Sequence, residues 1–172
     1  MIRWVWMMKP QDRLEQVAAL PFRRAATGGV DILLITSRSS GRWIIPKGWL
    51  AKGSKPRHCA AREAYEEAGL RGRVGKSALG EFEYVKRLGR SAAPCRVRVF
   101  PLETTAEKRK WPEMHQRARA WFSPVEAATL VSDPGLGAIV LELAARHGRR
   151  ARGGRGARNA PAKNRESRSS CG

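Results

Sequence analysis

Three glutamates spaced i, i+3, i+4, Glu63, Glu66 and Glu67, form the group of side chains in this sequence best suited to chemistry. At about 3.6 residues per turn they share one face of a predicted helix, with Ala61, Ala64, Tyr65 and Ala68 on the other side. Like charges at these spacings repel by about 0.2–0.5 kcal/mol per pair, so such a face is mildly destabilising unless a cation stands before it. A hard ion such as Mg2+, with Mn2+ the second candidate, suits carboxylate oxygens and keeps places in its shell for water and substrate phosphates. Arg62, four residues before Glu66, is placed to pair with a glutamate and fix its rotamer. A bare E-x-x-E-E reads better as a solvated acidic face. Gly48 upstream, the arginine and the closing Gly69-Leu70, all at fixed offsets, argue for a site.

The ends of this helix carry their own signals. Ser54 is the expected N-cap, Pro56 falls in the first turn where its missing N–H matters little, and Gly69 supplies a left-handed stop. Around the helix, apolar runs alternate with turn residues. Segments 17–22 and 30–36 read as strands joined through Gly28-Gly29, and 43–46 as a short strand leading into a turn at Gly48. Segments 71–74, 80–85, 96–102 and 119–122 read as further strands. Ser123 caps a short helix to Leu130, and Asp133-Pro134 opens another to about Arg146. Strands on both sides of one acidic helix, with a C-terminal helix for the second sheet face, predict an α/β/α sandwich around a mixed β-sheet.

The stretch GWLAKGSKPRHCAAREAYEEAGL, residues 48–70, resembles the signature of the Nudix hydrolases, G-x5-E-x7-R-E-U-x-E-E-x-G-U with U a bulky aliphatic. Gly48, Arg62, Glu63, Glu66, Glu67, Gly69 and Leu70 stand in register, Ala64 is a small version of the aliphatic position, and Ser54 replaces a glutamate. The resemblance implies a Nudix-type fold, with the catalytic helix following a glycine turn, and hydrolysis of a pyrophosphate linkage. It implies Glu66 and Glu67 as metal ligands, the Gly48 carbonyl as a further one, Glu63 as ligand or part of the base, and Arg62 as an orienter. A carboxylate outside the signature is also expected, with Glu81, Glu83 and Glu113 as candidates. The flanking W-I-I-P-K-G-W and W-F-S-P-V-E-A look most like the diphosphoinositol polyphosphate and diadenosine polyphosphate hydrolases, whose substrates are densely anionic.

Charge agrees with a phosphorylated small-molecule substrate. The chain carries 34 Lys and Arg against 15 Asp and Glu, a net +19. Residues 149–172 hold eight of these cations against Glu166 alone, +7, which leaves +12 on residues 1–148. Lys47, beside the glycine of the signature, is a candidate phosphate contact. Arg117 and Arg119, like Arg87, Arg90, Arg96 and Arg98, are further ones. Beyond Gly148 no aliphatic side chain exceeds alanine, so 149–172 is expected to be a disordered basic tail with weak nucleic-acid affinity at most. The division is thus an extension over 1–16, a hydrolase domain over 17–148 and the tail. No apolar run reaches membrane-spanning length, MIRWVWMMKP is too short for a secretory core, and three cysteines without ligand spacing suit reduced thiols, so the cytoplasm is expected. Two rival readings are a degenerate Nudix scaffold that binds without hydrolysing and a basic nucleic-acid-binding module.

Overall fold

Strand β1 (Leu14–Arg24) is buried on both faces for most of its length, which makes it the axis of the molecule. The computed structural model describes residues 13–26 and 28–153, with side chains through residue 148. Along β1 the pleat sends Val17 and Ala19 into one apolar cluster and Ala18, Leu20 and Phe22 into another, so the sheet has a core on each side. One half of β1 pairs antiparallel with β2 (Val30–Thr36), Phe22 opposite Ile32; the other half pairs antiparallel with β4 (Lys47–Trp49), Val17 opposite Gly48. Its other edge runs parallel to β7 (Ser91–Glu107). Strands β3 (Trp43–Ile44) and β8 (Arg119–Phe122) join β2, while β5 (Leu70–Val74) and β6 (Gly80–Leu88) join β7. Among the described residues these eight strands form one mixed sheet.

Helix α1 (Pro56–Ala68) covers one face, packing Cys59, Ala60, Ala64 and Ala68 onto Val17, Leu33, Ile35 and Phe100. Helices α2 (Pro124–Leu130) and α3 (Pro134–Gly153) cover the other, with Ala127, Leu136, Ile139, Val140 and Leu143 on Leu20, Ile32, Val97 and Val99. The α/β/α sandwich expected from the sequence is therefore present. No helix among the described residues is long and apolar enough to cross a membrane.

Several local details differ from the sequence expectation. The apolar side of α1 is built on Cys59 and Ala60, whereas Ala61 and Tyr65 stay half-buried and Arg71 lies 5.0 Å over the Tyr65 ring. The helix is rotated so that Glu67, too, turns inward. Its N-cap is Lys55, in extended conformation and without a side-chain bond, and the Ser54 amide donates to the Ala51 carbonyl instead. Proline at the first helical position forces this, because the residue before it is excluded from helical backbone. Gly48 lies on a strand, and the left-handed glycine between β4 and α1 is Gly53, φ +76°. The capping signals at Gly69, Ser123 and Asp133 hold: Gly69 has φ +67°, Ser123 and Glu126 form a reciprocal capping box, and Asp133 accepts from the Leu136 amide. Strand β1 starts three residues before the expected domain edge at 17, and α3 continues past 148 to Gly153. Residues 1–12, and the tail expectation from residue 154 onward, lie outside the described residues.

Candidate active site

The acidic face of α1 lies against β4, and glycine makes that approach feasible. A Cβ at Gly48 would stand 2.2–2.5 Å from the carboxylate atoms of Glu63, well inside van der Waals contact. Backbone freedom is not the reason for glycine here, since the residue is part of a strand; room for a carboxylate is. One residue earlier, the Lys47 amide donates to Glu67 Oε2 at 3.0 Å. The short strand thus bonds one of the three glutamates and leaves room for a second. Their side chains are enclosed, 13% exposed for Glu63 and 10% for Glu67, while Glu66 stands 44% exposed at the rim.

Two arginines neutralise much of this charge. Arg62 donates to Glu63 Oε1 at 3.2 Å and stands 3.7 Å from Glu66, the orienting position expected for it. Arg117, on the segment before β8, donates to Glu67, to Glu113 Oε2 at 2.6 Å and to the Thr36 carbonyl at 3.0 Å. The β7–β8 segment is also pinned to α1 through its backbone, from Glu113 N to the Glu66 carbonyl at 3.1 Å and from Lys108 N to the Gly69 carbonyl at 2.8 Å. Glu113 is thereby the one of the three outside carboxylates that joins the site. Glu81 and Glu83 point elsewhere on β6, paired with Arg98 at 3.1 Å and Arg13 at 2.9 Å.

Burial pushes the Glu63 carboxyl above the usual carboxylate range, against the pull of Arg62. It does the same to Glu67, against Arg117 and the Lys47 amide. The donor set, hard carboxylate oxygens on one helix face opposite a strand whose glycine exposes its backbone, fits a divalent ion of the Mg2+ kind. Among the described residues no three acidic, histidine or cysteine side chains converge on one ion-sized position; Glu63 and Glu67 are each paired with an arginine instead.

The placement of Arg117 and Arg119 corrects their assignment as phosphate contacts. Arg117 is 5% exposed with its donors spent on protein acceptors. Arg119 donates to the carbonyls of Ala68 and, at 3.0 Å, Lys108, and stacks 4.1 Å from the Trp111 ring. Charge was legible in the sequence for both, and partner was not. The Lys47 ammonium lies 5.2 Å over the Tyr84 ring, with burial lowering its pKa and Glu67 opposing that shift.

The Lys47 ammonium enters a cleft of about 540 Å3, where Arg42, Lys86 and Arg87 contribute further positive charge against Asp133 alone. Arg42 and Lys86 were not singled out from the sequence, although Ser37, Arg38, Ser39, Ser40, Gly41 and Arg42 form a polar turn just before Trp43. Trp49, 46% exposed with Lys86 5.0 Å over its ring, borders this cationic region, whereas Trp43 packs edge-on against Phe122. A larger groove, about 700 Å3 and lined by Phe22, Arg73, Leu143 and His147 among others, shares no residue with the site.

Comparison with known proteins bears on family and fold. The sequence profile of the NUDIX domain matches residues 13–141. Nudix hydrolase 16, mitochondrial, of Arabidopsis thaliana is 31% identical over 117 residues, covering 66% of this chain and 64% of the plant protein. Diphosphoinositol polyphosphate phosphohydrolase 3-alpha of Mus musculus is 33% identical over 120 residues, 69% of each. The chain thus spans less than two thirds of the plant relative's length. Among solved structures, a C. elegans Ap4A hydrolase superposes with a TM-score of 0.57 at 16% identity, over 78% of this chain and 98% of that one, a likeness of fold.

Proposed function

The chain belongs to the NUDIX domain family, and from that premise we propose that it is a divalent-metal-dependent hydrolase of pyrophosphate linkages in densely anionic substrates. The observation that carries this reading is Lys47. Its amide holds Glu67 while its ammonium enters a cationic cleft, so one short strand joins an acidic face to a phosphate-attracting one. A pyrophosphate spanning the two would find its charge neutralised on both sides.

Glu66, Glu67, Glu63 and the Gly48 carbonyl are the groups that would hold the ion. When bound, such an ion neutralises phosphate oxygens and lowers the pKa of coordinated water. Lys47, Arg42, Lys86 and Arg87 bind the phosphate chain. Arg62 keeps Glu63 and Glu66 in place. Water adds to phosphorus, the anhydride P–O bond breaks to release a phosphate leaving group, and the water's proton passes to a carboxylate. Glu63, raised by burial and bonded only to the exposed Arg62, is the acceptor we assign.

The substrates favoured are diphosphoinositol polyphosphates or diadenosine polyphosphates, in keeping with the names of the mouse relative and the C. elegans structure. Catalytic efficiency should rise with phosphate number and exceed that for ADP-ribose. Measuring at about 1 M salt, where the Debye length is about 3 Å, separates pocket preference from long-range steering. Under those conditions Lys47→Ala should lower kcat/KM on the most phosphorylated substrate more than on ADP-ribose. ADP-ribose emerging as the best substrate by a wide margin would refute the substrate class and leave the reaction type standing.

The basic C-terminal residues are assigned no part in hydrolysis. Deleting 154–172, beyond the end of α3, should leave small-substrate turnover unchanged. Any nucleic-acid binding should weaken and depend less steeply on salt. Loss of turnover on truncation would give the tail a role in the enzyme.

A further inference from the structure

Four carboxylates, Glu63, Glu66, Glu67 and Glu113, meet three guanidinium groups, Arg62, Arg117 and the exposed Arg38 at 3.4 Å from Glu113, and the two arginines that contact the helix glutamates differ in what they can do. Arg62 is 45% exposed and can swing into water with little penalty. Arg117 is enclosed, and a buried guanidinium without partners is strongly destabilising, so it must stay where it is. It holds three acceptors from three parts of the chain: Glu67 on α1, Glu113 on the β7–β8 segment and the Thr36 carbonyl at the end of β2. Only the first belongs to the set that would hold a divalent ion.

We propose that Arg117 is the resident counter-ion of Glu67, which holds the metal-free site together, competes with the divalent cation for that carboxylate, and gives it up while keeping Glu113 and the Thr36 carbonyl. The proposal rests on the metal reading above. It accounts for the direction in which the charge of Glu67 is turned, toward an internal cation. It also links metal loading to the β7–β8 segment, because Arg117 and the backbone bond from Glu113 to Glu66 tie that segment to the same helix.

The test compares Mn2+ binding to the full chain, by electron paramagnetic resonance or calorimetry, in the wild type, Arg117→Gln and Arg117→Lys. Glutamine's amide nitrogen falls where the Arg117 Nε lies, so it keeps the donor to Glu113 and loses the charge; metal-free R117Q should melt lower yet bind Mn2+ roughly ten-fold more tightly, the scale expected when a close competing charge is removed. R117K, which retains the charge, should stay near the wild-type affinity. Unchanged or weaker Mn2+ binding by R117Q overturns the counter-ion role. A wild type that binds no divalent ion overturns the metal reading itself. Should R117Q not fold, the Arg117 Nη–H resonances of the wild type decide: those of Nη2, which donates to Glu67, should shift as Mg2+ is titrated, and signals unmoved at saturation overturn the proposal.

Discussion

Glu66→Gln is expected to lower kcat/KM by roughly 100- to 1,000-fold while leaving the melting temperature almost unchanged. The separation of the two effects is the point. Glu66 stands at the rim with a half-exposed side chain, and its ion contact is Arg62 at 3.7 Å. An exposed pair of that kind contributes about 0–1 kcal/mol to stability, so glutamine, equal in size, should be tolerated by the fold. What it removes is one hard anionic oxygen from the set that would hold the ion. Glu67→Gln should also abolish most activity, but it would weaken the partnership of buried Arg117, and loss of fold would blur the result. Near-normal turnover in Glu66→Gln would mean that the exposed carboxylate is no ligand.

Gly48→Ala should be nearly as damaging, through a different route. The added methyl would fall 2.2 Å from the carboxyl carbon of Glu63, so either that side chain leaves β4 or the strand lifts from α1. Overpacking of this sort costs about 1–3 kcal/mol, and here the group displaced is the carboxylate assigned to accept the proton. Urea denaturation should show the lost stability, and turnover should fall by roughly 100-fold or more. Wild-type activity in Gly48→Ala would show that Glu63 need not lie where it does. The substitution is informative because the glycine shows no positive φ.

These two residues also mark how far the sequence could be read. Periodicity alone put Glu63, Glu66 and Glu67 on one helix face, and residue chemistry placed the ends of α2 and the stop at Gly69, because these signals act within a turn or two. Signals at longer range were weaker. That Gly48 belongs to a strand beside Val17 depends on pairing with a residue 31 positions away, which no local pattern encodes. The inward roll of Glu67 depends on Arg117, 50 residues on in the chain, and an arginine shows its charge in a sequence but not the acceptor it will find. For the same reason Arg119 read as a phosphate contact although the Ala68 and Lys108 carbonyls claim it. Lys47 was legible because it is adjacent to the signature glycine, whereas Lys86 reaches the same cleft from β6.

The parallel pairing of β1 with β7 joins Leu14 to Cys95 and continues to Phe22 with Glu103, each partner 81 residues from the other. Such contacts repay loop closure late, so a fold organised around them has high contact order and forms slowly for its size. Helix α1 lies inside the loop this pairing closes, and Arg117 follows it in the chain. A nascent polypeptide therefore carries its acidic helix while the 49 residues from 69 to 117 are still to be added, with the β1–β7 ladder incomplete and the arginine not yet in place. The site is a late product of folding, assembled only when nearly the whole domain has emerged.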